Sequence, residues 1–253
     1  MDQHQHILYE EVIINGSKTA LTLSTDGILR WHDHNNVLRC LSVDREVLGS
    51  FVFEALSEDS LRNLCDTIQG YIDSLGRPKK LFVFVNPFGG RKSASQVFTD
   101  DVKPILEDAN IEYTLLETKY QLHAKEVAHD LDLTKYDGIL CVSGDGILVE
   151  VVNGLLERED WQAALKMAIG VIPAGTGNGM IKSLLDSAGQ PCTAAHAMLA
   201  VIRGHKRSLD VATIWQGEAR FFSVLMLAWG LIADIDIESE KYRWMGSARM
   251  DLY

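Results

Sequence analysis

From Lys79 onward the chain repeats one unit, an apolar strand, then a loop, then a helical stretch, and this repetition limits the fold more than any other feature. Strands separated by helices are joined by crossovers, and crossovers give parallel pairing, so the repetition predicts an α/β domain built on a parallel sheet. The strand candidates are LFVFV (81–85), IEYTLLET (111–118), YDGILCVSG (136–144) and AIGVIPAG (168–175). Helical stretches fall near 95–109, 123–131, 147–158 and 179–186. LFVFV is apolar throughout rather than alternating, the mark of a strand covered on both faces.

In an open parallel sheet, ligands sit outside the carboxyl ends of the strands, so the loops after each strand carry the chemistry. Three of them are rich in glycine. In Asn86-Pro87-Phe88-Gly89-Gly90-Arg91-Lys92, paired glycines can expose backbone N–H groups beside two cations, a nest suited to phosphate. In Ser143-Gly144-Asp145-Gly146, two glycines admit close approach to the backbone and set a carboxylate at the strand tip, where it can accept a proton or orient Mg²⁺. Pro173-Ala174-Gly175-Thr176-Gly177-Asn178-Gly179 again leads from a strand into a helix, whose N-terminus favours anions. One such loop reads as turn punctuation; three on one sheet edge make a phosphate cleft. The spacing fits neither common nucleotide signature: GxxxxGK[ST] is absent, and Val149 stands where a dinucleotide fingerprint needs its third glycine.

Other classes of function are excluded on composition. Lysine and arginine number 24 against 35 acidic residues, a net charge of −11 that opposes binding to nucleic acid. The 4 cysteines, Cys40, Cys65, Cys141 and Cys192, form no CxxC pair, and His123, His129 and His196 fall on helical segments without a metal-binding spacing, so no zinc is expected. The first residues carry no basic and apolar signal segment, and the apolar run Phe221–Ala233 is interrupted by Ser223 and Gly230 and is shorter than the ~20 residues a spanning helix needs. The expectation is a cytoplasmic protein with reduced thiols.

Three regions follow. Residues 1–76 read as a small β-rich segment, with EEVII, TALTLS and ILRWH separated by Asn15-Gly16 and Asp26-Gly27, and a linker helix over 59–75 that puts Leu61, Leu64, Ile68, Ile72 and Leu75 at helical spacing. Residues 77–204 are the α/β nucleotide-binding domain. Over 205–253 the helices stop and two β runs, SLDVATIW and ARFFSVLMLAW, begin a β-sandwich that the chain does not complete.

NPFGG, SGDG, EVVNGLLER and PAGTGN, in this order on alternating strands and helices, resemble the catalytic domain shared by diacylglycerol kinases and sphingosine kinases, some of which carry GGDGT where this chain has SGDG. The run Leu227–Tyr242, LAWGLIADIDIESEKY, is similar to sphingosine (long-chain base) kinases in particular. The resemblance spans roughly Lys79 to Tyr253 and implies transfer of the γ-phosphate of ATP, with Mg²⁺, to the primary hydroxyl of a sphingoid base. It implies that Asp145 is the general base. It assigns nucleotide binding to Asn86, Pro87, Phe88, Gly89, Gly90, Thr118, Ser143, Gly144, Gly146, Glu150, Gly175, Thr176, Gly177 and Asn178, with Arg243 and Arg249 on the phosphates. It pairs Asp236 with the substrate ammonium and lines the acyl tunnel with Leu231, Ile232 and Ile235.

A carboxylate in an apolar wall separates a cationic amine from a neutral diacylglycerol, because a desolvated charge left unpaired costs several kcal/mol. By residue type alone, Asp234, Asp236, Glu238 and Glu240 read equally as the solvated acidic edge of a strand. Kinases of this family continue into a complete sandwich with a further acidic GDG-type motif, so the resemblance implies a truncated chain with an intact nucleotide cleft and weak turnover. Two further functions stay open: a diacylglycerol or ceramide kinase, and a non-catalytic ATP-binding remnant regulating a full-length kinase. In each case contact with the membrane that holds the lipid is peripheral.

Overall fold

The computed structural model describes residues 6–14, 17–24, 29–32, 38–41, 54–89, 93–204, 206–239 and 241–242, and the chain divides into two compact units, Met1–Gly76 and Arg77–Tyr253. In the first, strands β1 (His6–Ile14), β2 (Ser17–Ser24), β3 (Leu29–His32), β4 (Leu38–Leu41) and β5 (Glu54–Ala55) form an antiparallel sheet in the order β4-β3-β2-β1-β5. Ile14 pairs with Ser17, the register a two-residue Asn-Gly connection requires, although Asn15, Gly16, Asp26 and Gly27 lie outside the described residues. Alternation puts Leu8, Val12, Leu21, Leu23 and Trp31 on the buried face.

Helix α1 (Glu58–Ser74) covers that face with Leu64, Ile68 and Tyr71. Ser57 caps it by accepting from the Ser60 N–H at 3.1 Å, and Glu58 and Asp59 lie in its positive first turn. Ser60 and Asn63 donate to Glu10 of β1 at 2.9 and 2.6 Å, which fixes the helix along the sheet. Leu61, expected on the inner face, is exposed.

The second unit holds the parallel sheet. Its strands are β6 (Lys80–Val85), β7 (Glu112–Glu117), β8 (Gly138–Ser143) and β9 (Ala168–Pro173), in the order β7-β6-β8-β9. The central strands are the buried ones: every residue of β8 and all but the first of β6 are out of solvent, whereas edge strand β7 is largely exposed. Leu81, Val83, Val85, Leu140 and Val142 face one layer of helices, and Phe82, Phe84, Ile139 and Cys141 face the other. The apolar runs without alternation are thus explained by two covered faces. Burial pushes the Cys141 thiol up to about 12, so it acts as core.

The helices follow the expected order with adjusted ends. After β6 a single helical stretch runs through α2 (Ala94–Val97), a π-helical turn at Phe98–Val102 and α3 (Lys103–Asp108). Next come α4 (His123–Asp130), a 3₁₀ turn at Leu133–Lys135, α5 (Asp145–Leu156), the short α6 (Trp161–Ala164) and α7 (Gly179–Ser187). A helix whose bounds the sequence did not suggest, α8 (Ala194–Arg203), packs on β9; Gly170 admits it, since a Cβ there would stand 2.8 Å from Val201.

Beyond residue 205 the expectation of β structure alone is corrected. A hairpin of β10 (Ala212–Gln216) and β11 (Ala219–Ser223) turns through Gly217-Glu218, with Gly217 at φ +62°, but Leu231–Ser239 is helix α9. The alternation Ala-Asp-Ile-Asp-Ile-Glu over 233–238 suggests a strand. Among the described residues, however, no neighbouring strand pairs with it, and a helix satisfies its own backbone groups without one.

Candidate active site

The sheet order sets where a site can form. The connection from β6 leads outward to β7 and that from β8 leads the opposite way to β9, so the crevice between the carboxyl ends of β6 and β8 is the topological switch point. The loops beginning at Asn86 and at Gly144 border it.

These loops are tied together by backbone contacts. The Asn86 N–H donates to the Val142 carbonyl at 3.3 Å, the Thr118 N–H to Val85 at 2.9 Å, the Ala174 N–H to Ser143 at 3.2 Å, and the Asp145 N–H to Gly177 at 3.1 Å. Glycine is required where the second and third loops meet: a Cβ on Gly175 would lie 2.2 Å from the Gly144 Cα, and one on Gly144 would lie 2.6 Å from the Gly177 carbonyl oxygen. Asn86, Thr118, Ser143, Asp145 and Gly175–Asn178 therefore stand on one edge, as the cleft reading requires. The backbone beside Asp145 is open, since a Cβ on Gly146 would meet nothing within 4 Å.

Several expected nest donors are already engaged. Asn86 Oδ1 accepts from the Phe88 N–H at 3.0 Å and from the buried Thr118 hydroxyl at 3.4 Å, and the Gly89 N–H donates to the Asn86 carbonyl at 3.4 Å. The first loop is thus an Asn-centred turn whose amides point inward, with Phe88 exposed at its tip and Pro87 ahead of it. Asn178 closes the third loop on itself, accepting from the Gly175 N–H at 3.0 Å and donating to the Gly175 carbonyl at 2.9 Å. Gly90, Arg243 and Arg249 lie outside the described residues.

The two carboxylates of α5 sit against helix ends. Asp145 opens α5, and its Oδ2 and Oδ1 accept from the Gly179 and Met180 N–H groups of α7 at 2.7 and 3.1 Å. Glu150, one and a half turns on, accepts from the Ala124 N–H in the first turn of α4 at 3.2 Å. Gly154 lets α4 cross close by, its Cβ position being 2.2 Å from the Lys125 carbonyl oxygen. Arg158 binds the other end of α4 through the carbonyls of Ala128, His129 and Leu131, while pairing with Asp160 at 2.6 Å. Residues 150, 154 and 158 recur every four positions, so α5 and the turn just past its end strap α4 along its length. That four-residue spacing of acid, glycine and arginine, along and just past an apolar helix, is the signal the sequence offered for it.

Asn153 was also missed. It is 7% exposed, and its side chain binds both the N–H and the carbonyl of Phe222 in β11, at 2.9 and 2.8 Å, with a further bond to the Val149 carbonyl at 2.8 Å. It docks the hairpin on the helix that starts with Asp145.

The lipid-side assignments are relocated. Leu231, Ile232, Ile235 and Asp236 lie on helix α9 rather than on a strand; Leu231, Ile232 and Asp236 are exposed and Ile235 is half-buried. Before them, Leu227 and Trp229 are 75% and 91% exposed. No helix among the described residues is long and apolar enough to cross a membrane.

The edge fits a nucleotide phosphate. Thr176 Oγ1 is buried and has no hydrogen-bond partner among the described residues, and open space adjoins Gly146. Among the described residues no three His, Cys, Asp or Glu side chains gather to hold a metal ion. Mg²⁺ would be carried on phosphate oxygens beside Asp145, where it would neutralise phosphate charge.

The diacylglycerol kinase catalytic domain matches residues 80–214, more than half of the chain. Sphingosine kinase 2 of Arabidopsis thaliana is 55% identical over 275 residues, which cover 96% of this chain and 56% of that protein. Sphingosine kinase 1 of the same organism is 53% identical, over 98% of this chain and 57% of its own length. Human sphingosine kinase 2 is 41% identical over 71% of this chain and 28% of its own length. The chain therefore spans just over half the length of the two plant relatives. With this match lying over the sheet whose edge carries the glycine loops, the chain belongs to the diacylglycerol kinase catalytic domain family.

Proposed function

We propose that this chain acts as an ATP-dependent kinase of sphingoid bases, passing the γ-phosphate to the lipid's primary hydroxyl. The observation that carries the reading is the carboxylate of Asp145 at the switch point of the parallel sheet, next to two glycine loops packed backbone on backbone. Phosphoryl transfer is chiefly positioning and charge neutralisation, and a rigid cleft that holds a base beside the phosphates supplies the first. The names of the relatives support the sphingoid class over diacylglycerol and ceramide.

In this reading the backbone of Gly144, Gly146, Thr176 and Gly177 and the Thr176 hydroxyl receive the phosphates, with Gly175 giving the close approach between the loops and Ser143 and Thr118 beneath them. Asn86, Glu150 and Asn178 shape the cleft through the bonds described above. Asp145 accepts the proton of the lipid hydroxyl. Asp236 on the exposed helix α9 meets the lipid ammonium, and the exposed Leu227, Trp229 and Leu231 favour peripheral contact with the bilayer that holds the lipid.

The test is transfer of labelled γ-phosphate from ATP to sphingosine in mixed micelles, with diacylglycerol and ceramide in parallel. Label on sphingosine that disappears with Asp145→Asn supports the proposal. Nucleotide binding without label on any lipid, or label preferentially on diacylglycerol, overturns it.

A further inference from the structure

We propose that the third glycine loop and the first turn of α7 form the positioning device for Asp145, with Asn178 as its key side chain; this rests on Asp145 being the base. The carboxylate is held on both oxygens by different amides, Gly179 N–H at 2.7 Å and Met180 N–H at 3.1 Å. Two donors on two oxygens fix the plane and the rotamer of the group, and each oxygen keeps a lone pair for a substrate hydroxyl. The backbone of the same residue is tied to the same loop through its N–H to the Gly177 carbonyl at 3.1 Å. The base is therefore gripped at main chain and side chain by one segment, 177–180.

That segment is in turn shaped by Asn178. Its acceptor and its donor are both occupied by Gly175, at 3.0 and 2.9 Å, which bends 175–178 so that the following two amides turn toward Asp145. The contact is close along its length: Cβ positions on Gly177 and Gly179 would be 3.5 and 3.4 Å from Asp145 Oδ2. Asn178 thus acts through the loop on Asp145, its side-chain acceptor and donor both being spent on Gly175. Asn178 and Gly179 are positioning residues, whereas the resemblance gives Asn178 a direct nucleotide contact.

Two measurements test this. In amide NMR spectra of this chain, Asp145→Ala shifts the Gly179 and Met180 resonances upfield and speeds their hydrogen exchange by about tenfold or more, as expected for loss of a charge-assisted acceptor. Unmoved amides overturn the proposal. The second measurement is turnover. Asn178→Ala lowers kcat by roughly tenfold or more, a larger loss than its rise in the KM for ATP, because misplacing a base by a fraction of an ångström acts on the chemical step.

Gly179→Pro, at a helix position that tolerates proline, falls in kcat below Gly179→Ala, which keeps its N–H. Equal losses in kcat and ATP affinity for Asn178→Ala, or equal kcat for the two Gly179 variants, overturn the proposal. Should the proline variant fail to fold, Asn178→Ala and the amide spectra still decide. The base reading fails separately: it falls if Asp145→Ala retains full transfer, and it stands if that variant is inactive while the amides stay unmoved.

Discussion

Asn153→Ala is the perturbation whose effect can be worked out most directly from the geometry. The side chain reproduces the edge of a β-strand, its carbonyl accepting from the Phe222 N–H at 2.9 Å and its amide donating to the Phe222 carbonyl at 2.8 Å. Truncation leaves both groups of Phe222 without a partner at a half-buried position, whereas Val149 keeps its helical bond. Each unsatisfied group costs about 1–3 kcal/mol when water is excluded. Since Phe222 is only half-buried and water can reach part of the gap, the lower half of that range applies, roughly 2–4 kcal/mol for the pair. For a unit of this size each kcal/mol moves Tm by about 2–4 °C, so the midpoint of the sheet-bearing unit should fall by roughly 4–16 °C.

Asn153→Asp should do no better at neutral pH, because it retains the acceptor but sets a carboxylate against the Phe222 carbonyl. Scanning calorimetry gives the midpoint, and hydrogen exchange at the Phe222 amide reports the lost bond itself. A midpoint unchanged by Asn153→Ala, with the Phe222 amide still protected, would refute the claim that this side chain docks the hairpin.

Two further perturbations follow from the same contacts. Gly175→Ala places a methyl 2.2 Å from the Gly144 Cα, where only backbone can yield, so isothermal titration with a non-hydrolysable ATP analogue should show binding weakened by at least about tenfold, and overpacking should cost about 1–3 kcal/mol in chemical denaturation. Arg158→Ala removes the cation that holds three carbonyls at the end of α4, and Arg158→Lys should not restore stability, because an ammonium cannot span Asp160 and those carbonyls together. Its pH dependence has a definite sign. The hydrogen bond from Arg158 holds the Asp160 carboxyl below the ordinary aspartate value. A depressed folded pKa gives stability that is present above the unfolded value and lost as pH falls through the folded one. Denaturation below about pH 4 should therefore show wild type losing stability faster than Arg158→Ala.

The parallel sheet was legible because its signal is physical and redundant. A strand buried on both faces must be apolar throughout, and LFVFV and GILCVS are; a chain that crosses between such strands needs helices, and the apolar periodicity supplies them. The glycine loops were legible for a similar reason, since Gly144 and Gly175 occupy a place where two backbones come into contact and no other residue fits. Sequence reading failed where one pattern serves two structures. Ala-Asp-Ile-Asp-Ile-Glu, residues 233–238, alternates like a strand, but alternation says only which residues share a face; it does not supply a neighbouring strand to satisfy the backbone, and among the described residues none pairs with this segment, which winds into α9.

The roles of the polar site residues were hidden for a different reason. Asp145, Glu150, Asn153 and Asn178 are the kinds of residue that bind ligands, and they are equally the kinds that complete helix ends and exposed strand edges. Only the position of the partner decides between these uses, and each partner lies at a distance in the chain or in another element: Gly179 and Met180 for Asp145, Ala124 for Glu150, Phe222 for Asn153. Three of these four residues belong to one helix of 12 residues, α5. A carboxylate at its first position, a cap for α4 near its middle and a clamp on β11 one turn later make α5 the element through which the glycine loops, the α4 side of the sheet and the hairpin leading to α9 are held in fixed relation. Under the proposed kinase reading, the in-line geometry that phosphoryl transfer demands therefore depends on how firmly that helix is held as well as on the glycine loops.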